Sequence, residues 1–255
     1  MIAQLRYYID LITVLTQKEL KARYKNSFLG YLWSIANPLA FAGVLYIAFK
    51  VIIKIPMEEY PLFVITGLFP WQWFSNSVSS SSVVFLRNTT IIKKVNFTRN
   101  FLPLSVVIND LLHFVFSVPI IMLLLIYYKK PLTPALLYGL PLLFSIQLFI
   151  LYGFCLALSS LTLFFRDLER LALIFIMLLF YFTPIAYSEQ MIPEGYRHLI
   201  YLNPAALVII NWRHLFLDGT LVPGYLFASF MYGLLSWLVG EWIYKKLSWK
   251  FAEIV

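Results

Sequence analysis

Long uncharged stretches, set off by short clusters of charge, organise the whole chain. Between Lys25 and Lys50 lie 24 uncharged residues, between Glu59 and Arg87 27, and between Lys130 and Arg166 35. Arg170 and Glu189 enclose 18, and Asp218 and Glu241 enclose 22. From Leu104 to Tyr128 a further apolar run has Asn109, Asp110 and His113 as its strongly polar members. A helix rises ~1.5 Å per residue and has ~30 Å of hydrocarbon to cross, so roughly 20 residues suffice. Each of these runs therefore predicts a transmembrane helix, six in all. A seventh run, Leu199 to Trp212, has only 14 residues and contains Asn203-Pro204. It is too short to span and predicts an outer re-entrant segment between spans five and six, held against protein because lipid cannot satisfy its backbone.

Ahead of the first span, Leu5, Ile9, Ile12, Leu15 and Leu20 recur at roughly helical spacing among Arg6, Asp10, Lys18 and Lys21. This pattern predicts an amphipathic interfacial helix with its basic side chains near anionic headgroups. Lys and Arg counts set the orientation. With the N-terminus inside, the cytoplasmic segments hold 14 of the 20 and the outer ones 6. That asymmetry predicts both termini in the cytoplasm. The fold class expected is an all-α integral membrane protein, a single domain over residues 1–255, with membrane lipid as its solvent.

Composition agrees: 61% of residues are apolar, 13% charged, and the mean hydropathy is +0.81. That leaves too few charged residues for a soluble surface. The net charge of +8 is spread between apolar runs rather than gathered on one soluble face, which argues against nucleic acid. Cys155 is the only cysteine, so no internal disulfide can form. The charged N-terminal 25 residues predict no cleavable signal peptide. No P-loop is present: the one Gly pair at that spacing, Gly219 and Gly224, is followed by Tyr225-Leu226. The three His residues, His113, His198 and His214, are not clustered with acids or Cys, so no catalytic or metal site is expected. Asp110 is the one acid well inside a span; a helix-start acid favoured by the macrodipole and a proton relay with His113 both remain open.

Ser75 to Ser82 has seven small polar residues in eight. If the helix starts at Pro70, Trp71 and Trp73 fall in the interfacial belt and the serines reach mid-bilayer. Close helix packing and a hydrated wall facing a polar substrate both account for such a run, with Ser75, Ser79 and Ser82 on one face. Phe149, Tyr152, Phe154 and Phe180-Tyr181-Phe182 fall near span centres, where belts do not reach. Phe149, Tyr152, Phe180 and Tyr181 join the serines as substrate-path candidates, against ordinary packing. Arg166-Asp167-Leu168-Glu169-Arg170 predicts a tight turn with its charges neutralised locally. Arg197, His198, Arg213 and His214 flank the short outer run, as gate residues or as charges that keep it from crossing.

Arg23, Lys25, Ser27, Leu29, Gly30, Leu32, Trp33 and Asn37-Pro38-Leu39 form a further pattern, followed by Leu163 to Ile185 and by Tyr201 to Ala205. In these stretches, taken in order, the chain resembles the permease subunits of bacterial ABC-2 type exporters, especially those for O-antigen, teichoic-acid and capsular polysaccharides. The resemblance implies a homodimer in the bacterial inner membrane, bound to two copies of a separate ATP-binding subunit that holds ATP and Mg. The substrate it implies is a lipid-linked polysaccharide. A drug, another lipid-linked polymer or a membrane-embedded enzyme role are the alternatives. It also implies a coupling helix within Arg87 to Asn100. That makes Lys93, Lys94 and Arg99, with Lys18, Lys21 and Arg23 of the N-terminal helix, the expected contacts with the ATPase.

Overall fold

The computed structural model describes residues 2–25 and 30–254; Ser27 and Leu29 of the motif above lie outside the described residues. No strand occurs among them. The chain runs α1 (Ile2–Tyr24), α2 (Trp33–Leu45), α3 (Tyr60–Ser82), α4 (Val84–Arg87), α5 (Thr89–Lys94), α6 (Phe101–Tyr127) and α7 (Ala135–Thr162). It continues through α8 (Leu168–Phe182), α9 (Pro204–Asp218), α10 (Pro223–Leu247) and α11 (Phe251–Ile254). Past Leu45, α2 widens into a π-helical stretch, Tyr46–Ile52, which ends as Ile53 N–H donates to the Ala48 carbonyl at 3.0 Å.

Among the described residues, four helical segments are long and apolar enough to cross a membrane: Trp33–Ile52, Phe101–Tyr127, Ala135–Thr162 and Pro223–Lys250. The other two runs differ for distinct reasons. α3 has the length, but its serine-rich end dilutes its apolar character, and it is buried almost throughout from Tyr60 to Phe74. α8 has 15 residues, about 22 Å at ~1.5 Å per residue, and most of its apolar surface is exposed.

α3 is the axis of the bundle, packed by α2, α6, α7, α8 and α9. It begins at Tyr60, with Pro61 in its first turn, where a missing N–H costs nothing. Pro70 does not start the helix but lies inside it. Trp71 and Trp73 are therefore core residues rather than interface anchors, at 4% and 2% exposure. The Trp73 indole donates to the Val107 carbonyl at 3.1 Å and packs on Phe114 and Phe144. The serine run becomes the last part of α3, beside α1.

α7 and α10 pack along their length. A side chain at Gly153 would collide with the backbone of Ser236 and Trp237, and one at Gly240 with the backbone of Gly153. Small residues permit this approach, as in other membrane helix pairs. A second apolar cluster, separate from the main core, gathers Leu15 of α1, Val84 and Phe85 of α4, Ile92 of α5, Leu102 and Val106 of α6, Leu163 and Phe251. Leu5 and Ile9, predicted on the apolar stripe of α1, stay exposed, so only part of that stripe meets protein.

The Leu199–Trp212 run is α-helical only from Pro204; its first residues end a 3-10 helix over Glu194–Leu202. Asn203 caps α9, its side-chain oxygen accepting from Ala205 and Ala206 N–H at 3.1 Å. Its amide donates to Thr183 Oγ1 at 3.0 Å, tying the start of α9 to the end of α8. Gly219, at φ +62°, closes the helix in the left-handed conformation that glycine adopts without strain. Ala205 to Arg213 are all buried.

Replacing Gly153 or Gly240 with Leu should force α7 and α10 apart and cost at least about 3 kcal/mol, the upper range for overpacking against backbone. Thermal unfolding in detergent checks this: a lowered midpoint for Gly153→Leu, but not for Gly195→Leu, whose added Cβ meets nothing.

Candidate functional site

Two covalently distant groups make the first element of the site. Asp110 sits roughly two and a half turns into α6, too deep for its helix start to stabilise it. It is buried, and Arg23 at the end of α1 reaches it at 2.5 Å. Ser77 of α3 donates to its other oxygen at 3.1 Å. The second Arg23 nitrogen contacts Ser80 at 3.4 Å. Next along α6, His113 meets the Tyr24 hydroxyl at 3.3 Å. The depth of Asp110 in α6 sets aside the helix-start reading, and the ion pair gives it a role that neither reading named, tying the end of α1 to α6.

Beside this pair a cleft of about 390 Å³ opens between α1, α2, α3 and α6. Its lining includes Trp33, Ser34 and Asn37 from α2, with Gln72, Asn76, Ser79 and Ser80 from α3. Of the path candidates, only Ser79 lines it. Ser75 is partly buried and lies off the cleft. Ser82 is buried and donates to the Ser79 carbonyl at 2.7 Å, a bond within its own helix. Asn37 and Gln72 were not among the path candidates, and Asn76 entered only as a member of the Ser75–Ser82 run. Their signal was present: uncharged polar residues inside runs that otherwise belong to lipid.

The aromatic candidates separate. Phe149 and Tyr181 are exposed, whereas Phe180 packs edge-on against Trp71. Tyr152 serves a hydrogen-bond chain instead: its hydroxyl donates to Glu241 of α10 at 3.0 Å and accepts from Asn100, at the start of α6, at 3.3 Å.

The basic candidates also divide. Lys21, Lys93 and Lys94 are exposed. Lys18 bonds the side chain of Asn88, Arg99 donates to the Ser248 carbonyl at 3.2 Å, and Arg23 is committed to Asp110. At the other end of the molecule, Arg213 is buried and holds the carbonyls of Pro184 and Ile185 at 2.7 and 3.0 Å while covering the Phe63 ring at 3.6 Å. It fastens α9 to the residues after α8. Arg197 donates to the Ile192 and Gln190 carbonyls, and His198 is exposed. His214 bridges Glu189 at 3.2 Å and Asp218 at 2.8 Å. The bond to Glu189, and then that to Asp218, raises the His214 pKa above its ordinary 6.5 despite partial burial. The same bond holds Glu189 below its ordinary 4.5.

A model of the ABC-2 type transporter family matches residues 10–217. Over 253 residues the chain is 46% identical to an O-antigen export system permease protein RfbA of Klebsiella pneumoniae, spanning 98% of this chain and 97% of that one. A second Klebsiella pneumoniae protein of that name is 45% identical over 251 residues, with the same shares. One from Myxococcus xanthus is 33% identical over 224 residues, spanning 87% of this chain and 85% of that one.

Asp110→Asn should leave Arg23 without its counter-charge and cost about 3 kcal/mol, the lower end of the range for a broken buried pair because Arg23 is 30% exposed. Proteolysis after Lys21 and Arg23 should accelerate. The Arg23→Leu, Asp110→Leu double variant should recover most of the loss, which a double-mutant cycle would quantify.

The outer clasp carries its own pH dependence. His214, with its raised folded pKa, contributes in full below 6.5 and loses its contribution as pH rises through that raised value. Glu189 contributes above 4.5 and is lost only as pH falls through its lowered value. Protection over Glu189–Leu202, with exchange corrected for its intrinsic rise with pH, should therefore fall as pH climbs above 6.5 through the raised His214 value. In His214→Phe the segment should show no such step.

Proposed function

Because the chain belongs to the ABC-2 type transporter family, we propose that it is the permease subunit of an exporter that moves lipid-linked, O-antigen-like polysaccharide across the bacterial inner membrane. The observation that carries this reading is near-full-length similarity to O-antigen export permeases. ATP and Mg are bound by a separate ATP-binding subunit, two copies of which serve a homodimer of this chain. In this reading the whole chain is one transmembrane domain. α3 and α8 join the four long apolar helices to make six spans, α9 is the outer re-entrant helix, and both termini are cytoplasmic.

The contacts of each element support that arrangement. A helix rich in serine crosses a membrane when neighbouring helices surround it, as they surround α3. α9 is short, but its buried face and its cap by Asn203 satisfy it within the protein. The ATPase would dock on α5, where Lys93 and Lys94 are exposed, and on the free side of α1 with Lys21. Both elements share the second apolar cluster with α4, α6 and α11, so a push on α5 moves several helix ends together. From there Arg99 and Asn100 lead to α10 and α7 through Ser248, Tyr152 and Glu241. On the outer side, Arg213 and the His214 clasp position α9 at the exit, and the exposed Phe149 and Tyr181 remain for the glycan path.

Reconstituting the permease with its ATPase in vesicles tests the reading. Glycan-dependent ATP turnover and glycan movement are the expected results, and their absence from the wild-type pair would overturn it. Lys93→Glu with Lys94→Glu should lower ATPase association about tenfold by reversing charge at the docking segment.

A further inference from the structure

We propose that the cleft between α1, α2, α3 and α6 is a subsite for a neutral sugar ring of the exported glycan, read by the amides of Asn37, Gln72 and Asn76 and by the face of Trp33. The inference rests on the transport reading above and adds where, and through what chemistry, the glycan is held. Among the described residues, these three amides make no hydrogen bond within the protein, although they sit in helices that are otherwise apolar or packed. Asn37 and Asn76 are exposed and Gln72 is half-buried, so all three present free donors and acceptors to whatever enters the cleft.

Charge narrows the partner. The one cation reaching the cleft from α1, Arg23, is neutralised by Asp110 at 2.5 Å. The cleft thus favours a neutral ligand over an anionic one. An amide both donates and accepts, which matches a hydroxyl that does the same, and three of them suit a ligand with several hydroxyls. Trp33, 46% exposed and lining the cleft, offers an aromatic face to the apolar C–H side of a ring. The volume, about 390 Å³, falls in the ~300–1,000 Å³ range of small-molecule clefts.

The test uses the complete permease–ATPase complex in nanodiscs and two probes. One is lipid-linked glycan extracted from the source cells; the other is the same lipid after chemical removal of its sugars. Gln72→Leu and Asn76→Leu should each weaken binding of the glycan-bearing lipid about tenfold, as expected when a ligand hydroxyl loses a good hydrogen bond. Binding of the bare lipid and basal ATP turnover should stay as in wild type, and Asn76→Ser should recover part of the affinity. Should the leucine variants misfold, Asn37→Ala and Trp33→Leu, both at exposed positions, carry the same comparison. Equal losses for both lipids would overturn the proposal in favour of a carrier-binding site. Unchanged affinity for both would reduce the cleft to a water-filled space, and changed dimer content alone would make it an interface. If the wild-type complex ignores the glycan altogether, the transport reading itself fails, a result distinct from any of these.

Discussion

A polar side chain carried into the interior of this bundle is costly until it finds a partner, and the rest of the architecture follows from the partners that most of them find across helices. Gln147 shows the requirement at its plainest. It is buried in α7, donates to the Pro70 carbonyl of α3 at 2.8 Å and accepts from the Trp212 indole of α9 at 2.7 Å. One side chain thereby registers three helices. Arg213 does the same between α9 and the end of α8, and Asp110 between α6, α3 and α1. Where hydrophobic burial is nearly indifferent to which apolar faces meet, such bonds choose the neighbours.

This principle makes α1 part of the machine rather than a float on the membrane. Its exposed Leu5 and Ile9 are suited to lipid, while Leu15, Lys18 and Arg23 grip the α4–α6 region from the other side. The helix is thereby held both by an apolar cluster and by a buried charge. Ile92 places α5 in the same cluster, and the close Gly153–Gly240 contact holds α7 against α10.

Much of the helix inventory was legible because apolar run length alone reports it. The α6, α7 and α10 runs and the first span all appear where charge spacing put them. Asn203-Pro204 was legible as punctuation, and it proved to be a cap followed by a proline at the first helical position. Pro70 misled for a physical reason: proline is favourable at a helix start, but it is tolerated within a membrane helix when neighbours hold the bend. Moving that boundary ten residues carried Trp71 and Trp73 from the interface into the core and the serines from mid-span to the end of α3. The partners of Tyr152 and Arg213 were hidden for another reason. The roles of these two side chains depend on Glu241, Asn100, Pro184 and Ile185, partners that no local pattern connects to them.

Run length and charge asymmetry, both local properties of the chain, determined that this is an all-helical membrane protein with short basic ends to its apolar runs. They suffice because hydrocarbon thickness and the cost of burying charge act on each segment separately. The cleft, the outer clasp and the anchoring of α1 were decided only by tertiary structure. Arg23 and Asp110 are 87 positions apart, and their attraction exists only once α1 and α6 lie side by side. Coulomb energy and hydrogen bonds act over a few ångströms, and sequence separation carries no information about which groups come that close.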